Sequence, residues 1–442
     1  MNLLLADPFA LAQEYPENLT HTLNYGRSTC IRFNRKGDYL ASGLADGTVI
    51  VFDFDTYGIA RVLRGHTRAV QSLSWSRDGR YLLSSSRDWK CILWDLYDGS
   101  RERTVHFESA IWTAELHPFN HLIFVVALFE DEPQLVDCTE KSARKHLLSS
   151  EPLTKTPGEE SSGRAGDEID EDSGENTMKG RKQDVQSTLV VTFTRSGQYI
   201  FSGTSKGWLN VIDTETCQTL RSEKFTAANI KHIVFSKSGK QFAVNSSDRA
   251  IRLFNTPDMS YMDPVDWEIE VLHKFQDVVN RLQWNAVAFS ANGDYVLAST
   301  YEDAHDVYIW ETTVGSLVKI IEAPREEIVD VQWHPNRTLL AATGLEKGTI
   351  YVWATVTPQR WSALAPDFVE VDENVDYQER EDEFDIIPDE IVNKRKLDQE
   401  DEDDVDVVTI ERVRGEYSDE SFVIPVVLDE MDDENFGSSD SE

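Results

Sequence analysis

The sequence predicts an all-β fold, a seven-bladed β-propeller, because one pair of strand patterns recurs seven times along its 442 residues. In each repeat an apolar or aromatic residue stands just before a polar turn, and a second anchor follows 19 to 21 residues later. The first anchors are Phe33, Trp75, Leu116, Phe193, Phe235, Phe289 and Trp333, and the second anchors are Phe52, Trp94, Val136, Ile212, Phe254, Trp310 and Trp353. Internal repetition with a period near 40 residues is typical of propeller blades.

Two features of each repeat favour strands over helices. Five of the polar turns end in glycine, which enters positive φ without a steric cost. These glycines are Gly37, Gly79, Gly197, Gly239 and Gly293. Alternating apolar runs follow the turns, as in Thr48–Phe52, and this alternation has the period of a strand rather than of a helix.

The repeats divide the chain into three predicted parts. Residues 20–365 hold the propeller, residues 1–19 precede it as a docking segment, and residues 366–442 form a tail. The tail contains 30 acidic and 6 basic residues, so it carries −24 of the total net charge of −36. Such a composition buries too little apolar surface to fold alone, and we expect the tail to be disordered until a partner binds.

Two insertions interrupt the rhythm of the blades. An acidic loop rich in glycine and serine occupies residues 151–186, and a second insertion occupies residues 256–284. The second contains Trp267, Phe275 and Trp284, which predict an ordered excursion. The four cysteines are far apart, no apolar run is long enough to span a membrane, and the N-terminus does not resemble a signal peptide. We therefore expect a soluble intracellular protein without a membrane partner.

The second repeat resembles the WD-repeat family. A glycine-histidine pair ending at His66 precedes a turn aspartate, Asp88, and a Trp-Asp pair beginning at Trp94 closes the unit. The resemblance implies a hydrogen-bonded network that runs from Asp88 to His66 and through a strand serine, Ser84 or Ser86, to Trp94. A hydrolase triad would use the same residue types, but the spacing is that of the blade and favours a structural role.

The tail places apolar residues at intervals among acids, a pattern typical of a segment that binds folded partners piece by piece. Three pieces stand out, Trp361–Tyr377, Glu379–Ile387 and Asp403–Ile410, and Phe422–Pro425 is a further candidate anchor. The alternative is a solvated charge run in which the apolar residues are incidental.

The stretch from Trp361 to Asp385 resembles the signature region of the retinoblastoma-binding protein five family. These proteins are the WD-repeat subunits of COMPASS-type complexes, which methylate histone H3 at lysine four. Asn280–Trp284, Tyr308–Glu311 and Asp330–Pro335 are similar to the family as well. The resemblance covers nearly the whole chain and is that of a fungal-type member. It implies a non-catalytic scaffold and activating subunit that is located in the nucleus and associated with chromatin.

The resemblance also implies a role for each piece of the tail. The piece that activates the SET-domain subunit comprises Ala365, Pro366, Asp367, Phe368, Asp372, Glu373, Asn374, Val375 and Tyr377. The piece that binds the SPRY-domain subunit comprises Glu383, Phe384, Asp385, Ile386 and Ile387. The piece that binds the second WD-repeat subunit comprises Asp404, Val405, Asp406, Val407 and Val408. Arg249 and Arg281 resemble arginines that face nucleosomal DNA, with service in blade turns or ion pairs as the alternative.

The sequence contains no P-loop, no GxSxG motif, no Cys/His cluster with zinc spacing and no GxGxxG after a strand. We expect no enzymatic activity, no cofactor and no metal, and we interpret the turn histidines His117 and His334 as structural. Three rival functions stay open: a substrate receptor of a cullin-type ubiquitin ligase, a histone chaperone that uses the acidic tail, and an enzyme with polar groups in the propeller channel. The receptor is disfavoured because Trp94–Tyr97 lacks the arginine that such receptors tend to carry.

Overall fold

Seven four-stranded antiparallel sheets form a β-propeller, which confirms the predicted fold class. The computed structural model describes residues 15–129, 131–153, 186–257, 259, 264, 267–277, 279–301, 306–322, 324, 326–355 and 422–425. These residues contain strands and turns but no α-helix, so none of their segments could cross a membrane as a helix.

The strands are, in chain order, β1 (Asn18–Leu23), β2 (Ser28–Phe33), β3 (Tyr39–Leu44), β4 (Thr48–Asp53), β5 (Ile59–Arg64), β6 (Val70–Trp75), β7 (Tyr81–Ser86), β8 (Lys90–Asp95), β9 (Ser100–His106), β10 (Ile111–His117), β11 (Asn120–Leu128), β12 (Gln134–Asp137), β13 (Arg144–Leu147), β14 (Thr188–Phe193), β15 (Tyr199–Thr204), β16 (Trp208–Asp213), β17 (Thr219–Lys224), β18 (Ile230–Phe235), β19 (Gln241–Ser246), β20 (Ala250–Asn255), β21 (Val271–Phe275), β22 (Trp284–Phe289), β23 (Tyr295–Thr300), β24 (Asp306–Glu311), β25 (Leu317–Glu322), β26 (Ile328–Trp333), β27 (Leu339–Gly344) and β28 (Ile350–Ala354). Blade 1 takes β2 to β5, and each following blade takes the next four strands, so that blade 6 ends with β25. Blade 7 combines β26, β27 and β28 with β1.

Successive strands of a blade run in opposite directions, so its loops fall at two ends. The lower end holds the loops that follow the first and third strands of each blade. The upper end holds the loop that follows the second strand and the connection to the next blade. These two ends are the surfaces on which candidate functional residues are placed.

The two anchors of each repeat are neighbours across one middle strand. Phe33 pairs with Leu40, and Leu40 pairs on its other side with Phe52. The same triplet recurs in the other blades as Trp75, Leu82 and Trp94; Leu116, Phe124 and Val136; Phe193, Ile200 and Ile212; Phe235, Phe242 and Phe254; Phe289, Val296 and Trp310; and Trp333, Leu340 and Trp353. Side chains at paired positions lie on one face of the sheet and pack together. The constant spacing between the two anchors is therefore the length of chain that runs from the first strand, along the middle strand, and back to the paired position on the third strand.

The N-terminal strand closes the last blade. The sequence left open whether residues near Thr20–Tyr25 or residues after Trp353 supply the outer strand of blade 7. In the structure β1 takes this position, with Leu19 paired with Trp353 and Leu23 paired with Ile350. The strand starts at Asn18, two residues before the predicted start of the propeller. Pairing the first and last strands of the propeller in one sheet removes the exposed edge that an open propeller would present.

The seam between blade 7 and blade 1 is bridged along its length. Near the channel, an Asp330 carboxylate oxygen accepts hydrogen bonds from the Ile31 N–H at 3.0 Å and from the Arg32 guanidinium at 2.5 Å. At the upper end the Ser28 N–H donates to the Gly348 carbonyl at 3.2 Å. A carboxylate that accepts two donors in a low-dielectric setting forms strong hydrogen bonds.

The second insertion completes blade 5. Val271–Phe275 forms β21, the outer strand, while Trp267 and Trp284 are buried on either side of it in the sequence. The Trp267 ring lies edge-on to Tyr199, with centroids 5.2 Å apart. Most of the loop 151–186 lies outside the described residues.

Candidate functional site

The tail residues assigned to partners lie outside the described residues. This applies to the SET-activating residues from Ala365 to Tyr377, to Glu383–Ile387 and to Asp404–Val408. The described candidates are the blade-2 network, the two turn histidines, the ionisable groups of the channel, Arg249 and Arg281, and the candidate anchor Phe422–Pro425.

The structure brings together the four residues of the blade-2 network. His66 Nδ1 lies 3.1 and 3.2 Å from the two carboxylate oxygens of Asp88, and His66 Nε2 lies 2.8 Å from Ser84 Oγ. The indole N–H of Trp94 donates to Ser84 Oγ at 2.8 Å. A carboxylate can only accept, so the imidazole hydrogen sits on Nδ1, and Nε2 accepts from the serine hydroxyl.

This arrangement serves the blade rather than catalysis. Ser84 has no solvent-exposed surface, and its oxygen is already shared by the imidazole and the indole. Burial lowers the pKa of His66, although Asp88 opposes the shift, so the ring is neutral in the folded protein. Ser84, rather than Ser86, carries the link, because Ser86 Oγ donates instead to the Arg68 carbonyl at 2.9 Å.

The two turn histidines each join one blade to the next. His334 Nδ1 accepts the N–H groups of Asn336 at 3.1 Å and Arg337 at 2.9 Å, and its Nε2 donates to the Gly37 carbonyl at 3.2 Å. A Cβ at Gly37 would lie 2.2 Å from Nε2, so only glycine admits the ring. His117 makes the same contact with Gly197 across the seam between blades 3 and 4.

Sequence reasoning missed the rule behind these histidines, although the signal was present. The residue after the first anchor accepts a backbone N–H of its own turn in all seven blades. These residues are Asn34, Ser76, His117, Thr194, Ser236, Ser290 and His334. A histidine at this position has a second ring nitrogen, Nε2, which reaches the next blade. A serine has no second polar atom and therefore does not bridge the blades.

Two carboxylates near the channel, Glu115 and Asp330, accept hydrogen bonds from the neighbouring blade. Glu115 accepts the N–H of Phe193 at 3.3 Å, just as Asp330 accepts from Ile31. Burial, reinforced by Asp330, raises the pKa of the Cys30 thiol to about 12, which makes it a poor nucleophile. Among the residues described, no group of three or more His, Cys, Asp or Glu is placed to hold a metal. Asp330 and Glu115 thus link neighbouring blades.

Arg249 and Arg281 lie at the upper end of neighbouring blades. Arg249 is in the β19–β20 turn, Arg281 precedes β22, and the Trp284 indole N–H donates to the Arg249 carbonyl at 3.2 Å. Both arginines are exposed, and neither forms an ion pair with a described residue. With Lys231, whose ammonium lies 5.7 Å from the Tyr301 ring centroid, they form a cationic surface that we call the blade 5–6 rim.

The acidic residues of these loops, Asp248 and Asp277, form contacts within the protein. Asp248 forms an ion pair with Arg252 and accepts a hydrogen bond from Thr226 at 3.0 Å. Burial would raise the pKa of Asp248, but hydrogen bonds from Arg252 and Ser246 outweigh it and hold the pKa at about 2. Asp277 accepts the backbone N–H groups of Val279 and Asn280, both at 2.9 Å. Arg249 and Arg281 therefore face solvent, and among the described acids of these loops Asp248 is the one held in an ion pair.

Fold and network together define a WD-repeat propeller. The WD40 family (WD domain, G-beta repeat) matches residues 18–53, 59–95 and 315–354. The chain is 46% identical over 386 residues to the Set1 complex component swd1 of Schizosaccharomyces pombe, covering 87% of this chain and 90% of that protein. It is 39% identical over 443 residues to the COMPASS component SWD1 of Saccharomyces cerevisiae, covering 96% and 97%. It is 33% identical over 422 residues to the retinoblastoma-binding protein 5 homolog of Drosophila melanogaster, covering 93% and 78%.

A solved structure agrees with these relatives. The crystal structure of the Cps50 (Swd1) beta-propeller domain of Myceliophteria thermophila superposes with a TM-score of 0.69 at 46% identity, covering 76% of this chain and 100% of that one. The chain belongs to the Swd1 and retinoblastoma-binding protein 5 family of WD-repeat proteins.

The blade-2 network predicts a defined loss of stability for Ser84→Ala. This variant leaves the buried indole N–H of Trp94 and Nε2 of His66 without partners, which costs about 1–3 kcal/mol of unfolding free energy. Urea unfolding followed by tryptophan fluorescence measures the change. Ser316→Ala, an exposed serine in a blade-6 loop, is the control and should change the value by less than about 0.5 kcal/mol. Equal stability of the two variants would contradict the network.

The buried imidazole of His334 leads us to predict that acid destabilises the seam between blades 7 and 1. Burial lowers the pKa of its imidazole from 6.5 to about 4, so the unfolded chain binds a proton more readily than the folded one between these pH values. Stability from this group is therefore complete above pH 6.5 and falls as the pH drops towards 4, by up to about 1.4 kcal/mol per pH unit. His334→Asn, which keeps an acceptor for the turn, should show a shallower loss in this window when unfolding is measured from pH 8 to 4. Parallel curves for the variant and the wild type would refute the assignment.

Proposed function

We propose that this protein is a non-catalytic scaffold and activating subunit of a COMPASS-type complex that methylates histone H3 at lysine four in the nucleus. The observation that carries the proposal is the similarity to the Set1 complex and COMPASS components, which extends over 90% and 97% of their lengths. Similarity over the fold alone would leave the function open, since propellers serve many functions. The engaged groups of the channel support a non-catalytic role.

In this proposal the three pieces of the tail bind three different subunits. Residues 365–377 act on the SET-domain subunit, Glu383–Ile387 bind the SPRY-domain subunit, and Asp404–Val408 bind the second WD-repeat subunit. What supports the division is the pattern of the sequence, in which Phe384 and Ile386 alternate with acids, as Val405 and Val407 do. In an extended peptide such alternation directs apolar side chains to one face and carboxylates to the other. The apolar face supplies affinity, and the carboxylates select basic surfaces.

The two apolar pairs provide reciprocal tests of this assignment. Replacing Phe384 and Ile386 with Ala should weaken binding of the SPRY-domain subunit by roughly 100-fold, because two buried side chains are lost. The same variant should bind the second WD-repeat subunit normally. Val405→Ala with Val407→Ala should show the opposite preference, so each variant controls for the other. Calorimetry with each purified subunit measures both affinities, and equal losses for both subunits in either variant would refute separate sites.

We further propose that the blade 5–6 rim contacts nucleosomal DNA. Arg249 stands at a turn position that glycine occupies in blades 1 and 4, at Gly47 and Gly207. Its φ of +67° places a side chain in the left-handed region at a cost of about 1–2 kcal/mol. Arg281 has a φ of +52°. Exposed guanidinium groups that form no ion pair with a described residue suit phosphate contacts, which position a protein on DNA without reading its sequence.

The rim proposal predicts a change in salt dependence. Arg249→Ala with Arg281→Ala should reduce the slope of log K against log salt for nucleosome binding of the assembled complex by about two. Methylation of a free histone H3 peptide should be unchanged. The control is Lys141→Ala with Lys240→Ala, which removes two exposed positive charges from lower-end loops. If the control lowers the slope as much as the rim variant does, general charge rather than the rim is responsible.

A further inference from the structure

One segment of the C-terminal tail is seated on the propeller. Phe422–Pro425 lies at the lower end of the seam between blades 1 and 2. The Phe422 N–H donates to the Asp78 carbonyl at 3.1 Å, and the Ile424 N–H donates to the Tyr39 hydroxyl at 3.0 Å. The Pro425 carbonyl accepts from the Arg61 guanidinium at 2.5 Å. Three backbone groups of a four-residue segment are thus satisfied by the propeller.

The side chains of the segment alternate between the propeller and solvent. Ile424 is 7% exposed and joins the apolar core that blades 1 and 2 share, whereas Val423 is 69% exposed. Phe422 packs at the margin of the same core, with its ring centroid 6.3 Å from that of Tyr97. One side chain in and the next one out is the pattern of an extended peptide bound in a groove.

Two arginines border the segment. The Arg80 guanidinium is ion-paired with Asp95 at 2.6 Å and lies 6.0 Å from the Phe422 ring centroid. Arg61 joins the Tyr97 carbonyl at 3.2 Å to the Pro425 carbonyl. Arg61 therefore ties the end of the segment to the loop that precedes β9.

We propose that the blade 1–2 groove is a peptide-recognition site for an aromatic-x-aliphatic-proline motif, and that Phe422–Pro425 of the same chain is its resident occupant. In the sequence, 66 residues separate Thr355 from Phe422. The partner-binding pieces proposed above all fall within these 66 residues, but the groove and its occupant stand independently of those assignments. A tethered occupant has a high local concentration, so a free peptide of the same chemistry gains access only when the tether is released.

The test uses the full-length chain and a fluorescent peptide of residues 418–429. Ile424→Asp places a carboxylate in the apolar core and releases the tethered segment. Val423→Asp adds the same charge one residue away at an exposed position, and it is the matched control. We expect saturable binding of the free peptide by the Ile424→Asp chain, and at least tenfold weaker binding by the wild type and by Val423→Asp. A peptide that itself carries Ile424→Asp should not bind the opened chain.

A groove variant separates recognition by this site from general stickiness of an opened tail. Tyr39→Phe, added to the Ile424→Asp chain, removes the hydroxyl that accepts the Ile424 N–H and should weaken the peptide by about fivefold. Peptide binding that is equal in the wild type, Val423→Asp and Ile424→Asp chains would overturn the proposal. So would an Ile424→Asp chain that binds no peptide, or binding that is unaffected by Tyr39→Phe. Circular dichroism establishes that the propeller is folded in each variant.

Discussion

The pairing of β1 with β28 is the constraint on which the rest of the structure depends, because a propeller is stable only when its last blade meets its first. This pairing brings the β26 side of blade 7 against blade 1, where Asp330 caps the Ile31 N–H and His334 reaches the Gly37 carbonyl. The same kind of link recurs between other blades, for example from Ser74 Oγ to the Leu116 N–H at 3.0 Å. Each side chain satisfies a backbone group of the next blade, so closure makes the seams mutually supporting.

The triplets of anchors explain why the blades could be predicted from the sequence. Phe33, Leu40 and Phe52 must meet across one sheet, so their spacing is under geometric control whatever the loops do. The closing strand β1 could not be predicted in the same way. It has a single buried residue, Leu23, and so it shows little alternation of apolar and polar residues. The sequence indicated that Phe422–Pro425 could be an anchor, but it did not predict where the segment binds. Four residues are too few to show a period, and the residues that contact them, such as Tyr39 and Asp78, occupy positions that every blade has.

Two of the blades that lack the full sequence motif have a different polar link between a loop and a strand. In blade 7 the carboxylate of Glu326 accepts the Tyr351 hydroxyl at 2.7 Å and the Lys347 N–H at 2.6 Å. A Cβ at Gly344 would lie 2.3 Å from the Glu326 carboxyl carbon, so glycine makes room for this substitute. In blade 5 Asp248 and Arg252 perform the same task. The physical requirement is a satisfied polar link between a loop and a strand, and several residue sets meet it.

The two ends of the propeller differ in chemistry, and the difference bears on the proposed contact with DNA. The chain has a net charge of −36, which opposes DNA binding by the molecule as a whole. At the blade 5–6 rim, however, Asp248 is ion-paired with Arg252, while Arg249 and Arg281 are exposed and form no ion pair with a described residue. In the proposed function DNA contacts the upper end, and the groove between blades 1 and 2 that seats Phe422–Pro425 lies at the opposite end of the propeller.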